Sequence, residues 1–339
     1  MRKAGWIAVG MMVAGLVTGC AGDPPPKQRP AADSKSKASH APKRELPEGM
    51  HKLGESVSTE EGAWALAPSK LTEVTPTGKA RGVPRGWRTA KMTWTLTNKT
   101  GEIQQLLDVS PTTRYGATGR PAAEFTDTGV DGIPDAISDD PPRVKPGGSY
   151  TLTVGVAVPA DAVGDPVTIT TRPSTVYGDT GDVAFFEGTF PGAPARKDFA
   201  LHPQPATETN KPLAFGQWKA DPRMTVDNVR ADGGTDAQGR RTYTGELTVF
   251  NDATAADLPY TPMKKNVRVY YGAGLKEADL LQGGPGTADS GFIAPQRAAT
   301  HTFRFALPKG ANAASVSVEV TDLGSAEATF EGKISDRSS

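Results

Sequence analysis

Tyr150-Thr-Leu-Thr-Val-Gly-Val-Ala-Val158 alternates large apolar residues with small or hydroxyl-bearing ones, without an error. Successive side chains of a β-strand point to opposite faces, so this period of two predicts a strand with one buried face. Shorter alternating runs, separated by Gly, Pro, Asp or Asn, fill much of the chain on both sides. No window of comparable length has a convincing helical stripe. The sequence therefore predicts an all-β protein.

The same strand recurs later in the chain with the same spacing between its flanking prolines. Residues 145–159 correspond to residues 294–308, so that Val154, Val156 and Val158 become Phe303, Phe305 and Leu307. Four more blocks correspond in the same order: 94–98 with 247–251, 115–117 with 271–273, 167–169 with 316–318, and 184–190 with 328–334. Chance similarity between two alternating strands would explain one block but not five. The sequence predicts two tandem immunoglobulin-like β-sandwich domains.

The duplication sets the domain boundaries. We expect the first β-sandwich over residues 50–192 and the second over residues 213–335. Residues 193–212 (APARKDFALHPQPATETNKP) lie between the two copies and read as a linker. A short, Pro-containing connector favours two tethered modules over one continuous core.

Residues 1–19 have the three parts of an export signal. Arg2 and Lys3 give the positive start, an apolar stretch follows, and Val17-Thr-Gly-Cys20 ends the signal. The apolar stretch is shorter than the roughly 20 residues that a membrane-spanning helix needs. Val-Thr-Gly-Cys resembles the lipobox of bacterial lipoproteins, in which the signal is cleaved before a lipid-modified cysteine. Cys20 is the only cysteine, so we expect it to carry palmitate-type acyl chains that hold the protein on the outer face of the cell membrane. The alternative is an ordinary secretory signal that happens to contain a cysteine.

Residues 20–49 consist mainly of Pro, Ala, Ser, Lys and Asp, with almost no large apolar residues. Such a segment cannot bury enough surface to become ordered, so we expect a lipid-anchored flexible tether.

The chain without its signal has 36 Lys and Arg residues against 38 Asp and Glu residues. This balance gives no indication of nucleic-acid binding.

Three features resemble a family of telokin-like, immunoglobulin-like domains of unknown function on bacterial surface lipoproteins. They are an early strand ending in Asn (Trp94-Thr-Leu-Thr-Asn98), a Val144-Lys-Pro-Gly-Gly-Ser149 lead-in, and a strand that closes on Pro159. In the second copy, Gln296 and Arg297 stand where the Gly pair would be. The resemblance implies a scaffold for extracellular binding or assembly, and it specifies no reaction.

The loop at 127–140 is rich in acidic residues. Asp127, Asp131 and Gly132 match positions one, five and six of calcium-binding loops, in which carboxylates and a turn glycine surround the cation with oxygen. Gly129 stands where position three needs Asp or Asn, and Ser138 replaces the closing Glu. The sequence leaves two alternatives open: a plain acidic loop, or a calcium site formed by Asp127, Asp131, Asp135, Asp139 and Asp140. We predict no other cofactor.

Catalytic motifs are absent from the sequence. The four histidines (His40, His51, His202 and His301) are scattered, and the sequence has no Gly-x-Ser-x-Gly elbow, phosphate-binding loop or dinucleotide fingerprint. We therefore predict a membrane-anchored, extracytoplasmic module that is not an enzyme and that binds an unknown protein or a cell-wall polymer. The alternatives are a cell-wall-active enzyme with a carboxylate site and a calcium-dependent adhesin.

Overall fold

The computed structural model describes residues 45–59, 62–105, 109, 111–130, 132–134, 142–171, 174–175, 178–179, 183–196, 201, 203, 210–254, 265–281, 292–311, 314–322 and 325–334. The predicted signal peptide and residues 20–44 of the predicted tether lie outside these ranges. Residues 45–339 form one compact unit. In the described part of the chain, no helix has the length and apolarity needed to cross a membrane.

Fifteen strands and a 3-10 turn over Ala160–Ala162 are described in the first half. The strands are β1 (Met50–Lys52), β2 (Val57–Thr59), β3 (Trp64–Pro68), β4 (Thr72–Glu73), β5 (Trp87–Asn98), β6 (Gln104–Gln105), β7 (Thr112–Tyr115), β8 (Arg120–Pro121), β9 (Ala123–Phe125), β10 (Arg143–Val144), β11 (Ser149–Pro159), β12 (Pro166–Thr171), β13 (Ser174–Thr175), β14 (Gly178–Asp179) and β15 (Ala184–Thr189).

Nine strands are described in the second half. They are β16 (Leu213–Ala214), β17 (Met224–Thr235), β18 (Arg241–Asn251), β19 (Lys265–Tyr271), β20 (Lys276–Glu277), β21 (Asp279–Leu280), β22 (Arg297–Leu307), β23 (Val316–Asp322) and β24 (Ser325–Gly332). With strands as the main elements of both halves, the predicted all-β class is confirmed.

Each half contains two main sheets whose strands follow corresponding orders, except that β2, at the edge of one sheet of the first half, has no counterpart among the described strands of the second half. In the first half the orders are β2-β3-β5-β11-β9 and β1-β15-β12-β7-β8, and in the second half they are β17-β18-β22-β21 and β16-β24-β23-β19-β20. In both halves the first strand of the second sheet pairs in parallel with the last strand of that half. The halves are thus two β-sandwiches of one topology, as the repeated sequence blocks predict.

The strand register is also the same in both halves. Tyr150 lies opposite Leu96 in the first half, and Ala299 lies opposite Val249 in the second. These are the positions that the repeated sequence blocks equate. The register of the second sheet is also the same in both halves. Val167 lies opposite Gly188 and Tyr115 in the first half, and Val316 lies opposite Gly332 and Tyr271 in the second. Length differences between the copies therefore lie in the loops.

Each half has its own apolar core, filled from both of its sheets. Leu152, Val156 and Val158 are buried, as the alternation in the opening stretch predicts, but Tyr150 and Val154 on the same face are only half-buried. Ala157 on the opposite face is also buried, because it packs with Phe125 and Ile133. Trp94 packs edge-to-face against Phe186, with ring centroids 5.5 Å apart. Such aromatic pairs add to the stabilisation that burial provides. Trp94 is fully buried in this core.

A smaller apolar cluster joins the two halves. Met50 and Phe185 of the first half pack with Ala294 of the second, and Phe292 packs against them. The predicted division at 192 and 213 remains a prediction, because the halves have separate cores but share this cluster.

The second copy lacks the Gly147-Gly148 pair of the first copy, and this difference has a structural explanation. Gln296 has φ of +54°, close to the +68° of Gly147 at the corresponding turn position. Its side-chain nitrogen donates to the carbonyl oxygen of Asp252 at 2.6 Å, which holds this unusual backbone conformation in place. Arg297, at the position of Gly148, forms an ion pair with Glu187 of the first half. The second copy thus uses this turn to contact its neighbour.

A buried asparagine ends the central strand of each half. The side-chain nitrogen of Asn98 donates to the carbonyl oxygen of Val144 at 2.9 Å, and that of Asn251 donates to the carbonyl oxygen of Ile293 at 2.8 Å. In both halves the side-chain oxygen accepts a backbone N–H from two residues further along, at 2.9 Å and 3.0 Å. Buried polar groups are costly unless they are hydrogen-bonded. Each asparagine therefore satisfies a backbone N–H that follows its own strand and a backbone C=O that precedes the next long strand.

We expect Asn98→Ala to lower the free energy of unfolding by about 1–3 kcal/mol, because buried hydrogen-bonding groups lose their partner. Equilibrium urea unfolding measures the change. Asn266→Ala is the matched control, since Asn266 is an exposed asparagine within β19, and it should cost less than about 0.5 kcal/mol. Equal losses in the two variants would contradict the structural role of Asn98.

Candidate functional site

A cavity of about 340 Å³ opens in the first half, beside the turn that begins at Asp127. Ligand pockets in proteins generally measure about 300–1,000 Å³, so this cavity has the size of a small binding site. Its walls come from the segment before β5, from β9 and the turn after it, and from β11. The lining residues are Arg81, Gly82, Pro111, Glu124, Phe125, Thr126, Ile133, Pro134, Leu152, Thr153, Val154 and Gly155.

The cavity lies where the pairing of β9 with β11 ends. β9 contacts β11 only opposite Gly155 to Ala157, whereas Leu152 to Val154 line the cavity. The segment at Arg81 runs along the other side, with its N–H donating to the carbonyl oxygen of Thr126 at 2.8 Å. Gly82 has φ of +88°, and a Cβ there would lie 2.7 Å from the carbonyl oxygen of Glu124. A glycine is therefore required where this segment meets β9.

The cavity combines an apolar wall with two charged side chains. Phe125, Leu152 and Val154 supply apolar surface, while Arg81 and Glu124 are exposed at its edge. An apolar wall binds by excluding water, and a few charged groups orient the ligand. The arrangement suits a ligand that has an apolar part and ionic or hydrogen-bonding groups.

One acidic residue of the predicted calcium site lies within the described residues. Asp127 is fully buried, and its carboxylate accepts the backbone N–H of Thr77 at 2.6 Å, the hydroxyl of Thr77, and the N–H of Gly129 at 2.9 Å. Burial by itself raises the pKa of Asp127, but these hydrogen bonds and the charge of Lys79 outweigh burial and lower the pKa below its usual value. Asp127 thus holds the turn to the segment around Thr77.

The remaining predicted ligands, Asp131, Asp135, Asp139 and Asp140, lie outside the described residues, as does Cys20. Within the described ranges, no group of three or more His, Cys, Asp and Glu side chains could hold a metal ion. A calcium ion would have to compete with the hydrogen-bond donors that Asp127 already accepts, which fits a structural carboxylate better than a ligand. The calcium site remains a prediction.

A second charged cluster lies where the two halves meet. Nη2 of Arg120, on β8, donates to both carboxylate oxygens of Glu246, on β18, at 3.0 and 2.9 Å. Asn228 donates to the same carboxylate at 2.7 Å. Asp227 is the cross-strand partner of Glu246. Burial and the charge of Glu246 raise the pKa of Asp227 to about 6, against the opposing effect of Arg120.

The sequence did not identify the cavity or this charged cluster. Arg81, Glu124 and Leu152 are far apart in the chain, and the same is true of Arg120 and Glu246. None of these residues belongs to a recognisable motif. A weak signal was present at Arg297, where the second copy departs from Gly148 of the first copy.

We expect Asp127→Ala to lower the melting temperature equally in EDTA and in millimolar calcium, because the carboxylate stabilises the turn. Its folded-state pKa is lowered, so its contribution is present above about pH 4 and is lost as the pH falls through the folded-state value. The difference in melting temperature between Asp127→Ala and the parent protein should thus become smaller in acid. Thermal unfolding measures it, with the exposed Asp161→Ala as control. A calcium-dependent stabilisation lost in the variant would instead support Asp127 as a ligand.

Comparison with known proteins shows no family for this chain. No protein-family model and no curated protein matches the chain. Among solved structures, the yjhA protein from Bacillus subtilis is 14% identical with a TM-score of 0.32, covering 41% of this chain and 99% of that one. An uncharacterised β-sandwich protein from Clostridium difficile 630 is also 14% identical, with a TM-score of 0.26 and coverage of 43% and 97%.

A third similar structure is a transglutaminase from red sea bream. It is 9% identical with a TM-score of 0.20, and the match covers 80% of this chain but only 32% of that one. Likeness at these values carries no argument about activity or ligand. The assignment to the β-sandwich class rests on the strand order and the two cores.

Proposed function

We propose that the chain is a non-catalytic binding module, held on the outer face of the cell membrane, that binds its ligand in the cavity of the first half. The cavity of about 340 Å³ beside β9 and β11 is the observation that carries the proposal. The resemblance to telokin-like domains of surface lipoproteins supports the same role, because such β-sandwiches serve as frames for binding surfaces.

The lining of the cavity supports a particular class of ligand. Phe125, Leu152 and Val154 favour an apolar group, while Arg81 and Glu124 favour charges of both signs next to it. A peptide segment, or the peptide part of a wall polymer, carries apolar side chains together with carboxylate and ammonium groups. Arg81 would pair with the carboxylate of such a ligand and Glu124 with its ammonium group.

The anchor and the tether fit this location. Acyl chains on Cys20 would hold the protein at the membrane. A single acyl chain binds only weakly and reversibly, whereas two or more chains anchor a protein stably. A flexible tether of the predicted length has a root-mean-square reach of roughly 30 Å, which would lift the cavity off the membrane surface. The ligand could then be part of the wall or of a neighbouring surface protein.

We expect Cys20→Ala to move the protein from the membrane fraction to the medium or periplasm without unfolding it, because lipid attachment supplies the anchor. Cell fractionation followed by immunoblotting measures the distribution, and the melting temperature of the released protein tests its folding. A variant that stayed in the membrane fraction would show that Cys20 is not the anchor.

We expect the mature protein to be retained by peptidoglycan or by a purified surface peptide in a saturable way, and Arg81→Glu to weaken that retention at least tenfold. The reason is that reversing the charge repels the ligand's carboxylate. Arg143→Glu is the matched control, because Arg143 is an exposed arginine in the same half that does not line the cavity. Val154→Phe tests the apolar wall independently by reducing the cavity's volume.

Retention that both Arg81→Glu and Val154→Phe leave unchanged would contradict binding in the cavity. Release of soluble product, abolished by changing one Asp or Glu residue, would favour the alternative of a cell-wall-active enzyme. Retention that requires calcium and is lost on Asp131→Ala would favour the calcium-dependent adhesin. Product release and calcium dependence are therefore measured in the same incubations.

A further inference from the structure

One edge of β11 has no partner strand where it borders the cavity. β5 pairs with the whole length of β11, from Ser149 to Pro159, whereas β9 pairs with the other edge only from Gly155 to Ala157. The residues just before Gly155 line the cavity. The outer edge of this stretch therefore faces the cavity, and no other described strand pairs with it.

The backbone of Thr153 points toward the cavity. Thr153 lies opposite Thr93 of β5, and the carbonyl oxygen of Thr93 accepts the N–H of Ser69 at 2.7 Å on its other side. In an antiparallel pair, residues that bond to each other alternate with residues whose N–H and C=O point outward. The backbone groups of Thr153, and of Thr151 two residues earlier, therefore point away from β5. In the part of the chain that the structure describes, no hydrogen bond reaches these groups.

The turn after β9 stands across the cavity but bonds to itself. The carbonyl oxygen of Ile133 accepts the N–H of Asp127 at 3.4 Å, and the N–H of Ile133 donates to the carbonyl oxygen of Val130 at 3.3 Å. The turn meets β11 at a side chain, because a Cβ on Gly132 would lie 3.2 Å from the hydroxyl oxygen of Thr153. The turn is thus a wall of the cavity that does not occupy the backbone groups of β11.

The second half shows that the same edge accepts a backbone group from outside its own sandwich. Thr300 corresponds to Thr151, and its N–H donates to the carbonyl oxygen of Gly119 at 3.1 Å. The hydroxyl of Thr300 donates to the carbonyl oxygen of Thr118 at 2.7 Å. A segment of the first half therefore fills this edge of the second half. The first half keeps a threonine at this position, and among the described residues no segment fills its edge.

Backbone groups arranged in this way select a peptide. A strand that adds to an open edge must present an N–H and a C=O at every second residue, and an extended peptide does so. Its residues opposite Leu152 and Val154 would share the face of those two side chains, which favours apolar residues at alternate positions. Arg81 and Glu124 at the edge of the cavity complement the carboxylate and the ammonium group of such a peptide.

We propose that an extended segment of a surface protein adds as a strand to the outer edge of β11, with backbone hydrogen bonds to Thr151 and Thr153. The inference rests on the proposed function, because the segment occupies the same cavity. It goes further by naming a protein strand as the partner and the main chain as the principal element of recognition. Side chains of the segment that point to the other face should therefore have little effect on affinity.

Synthetic pentapeptides with free ends and with valine at the second and fourth positions test this proposal. The other positions carry a mixture of L-residues, and isothermal titration calorimetry measures binding to the whole mature protein. N-methylation of the central residue should weaken binding about tenfold, because that amide faces β11 and loses a hydrogen bond. N-methylation of the second valine is the matched control, since that amide points away from β11, and it should change the affinity less than about threefold.

A change in the protein tests the same bond from the other side. Thr153→Pro removes the N–H that points to the cavity but none of the bonds to β5, and proline is tolerated at an open strand edge. It should weaken peptide binding on the order of tenfold. Thr153→Ala is the matched control, because it keeps the N–H, and it should bind within about threefold of the parent.

Amide hydrogen exchange in the parent protein gives a result that does not depend on the folding of any variant. The amides of Thr151 and Thr153 should gain protection when the pentapeptides bind, because they acquire acceptors. The amide of Val154 is the internal control: Val154 lies opposite Met92, in a pair that bonds to β5, so its protection should change little.

The possible failures of this inference and of the proposed function differ. Peptide binding that Val154→Phe abolishes, but that central N-methylation leaves unchanged and that does not protect Thr153, would overturn strand addition and keep the cavity as the binding site. Retention of soluble peptidoglycan fragments that Val154→Phe abolishes, without any binding of the pentapeptides, would also overturn only the protein strand. If neither ligand binds, or if Val154→Phe has no effect on binding, the proposed function is wrong as well.

Discussion

The antiparallel register between the two long central strands of each half determines where every other element can lie. Trp94 lies opposite Leu152 in the first half, and Leu247 lies opposite His301 in the second. A slip of one residue would turn the whole apolar set of a strand to the opposite face, so this register decides which sheet surface forms the core. The chain has a single cysteine, and no disulfide within it can hold the register. Burial and the strand-ending asparagines must do so.

The candidate binding cavity exists because this regular pairing stops early on one edge. β9 is short, and the adjacent stretch of β11 is covered instead by the turn after Asp127 and by the segment at Arg81. The buried carboxylate of Asp127 fixes that turn through Thr77 and Gly129. One wall of the cavity is thus a rigid sheet and the other is a hydrogen-bonded loop. Loops on a rigid frame are where binding sites of β-sandwiches commonly form.

The contacts between the halves are the part of the structure that the duplication does not repeat. Arg297 stands where the first copy has Gly148, and it pairs with Glu187 across the junction. Glu246 likewise pairs with Arg120 from the other copy. Two similar units therefore pack through dissimilar surfaces. This asymmetry means that the two halves can take different roles, and the cavity is lined by residues of the first half.

The sequence by itself determined the strand class, the repeated blocks and the corresponding positions in both copies. These features depend on a period of two within short segments, which is a local property of the chain. It also indicated the acidic loop, although the described part of that loop uses Asp127 as a turn carboxylate. Only the tertiary structure decided which distant residues meet: Arg81 beside Glu124, and Arg120 against Glu246. Alternation specifies the face on which a side chain lies but not its neighbour across a sheet edge or a junction, because that neighbour depends on how the whole chain packs.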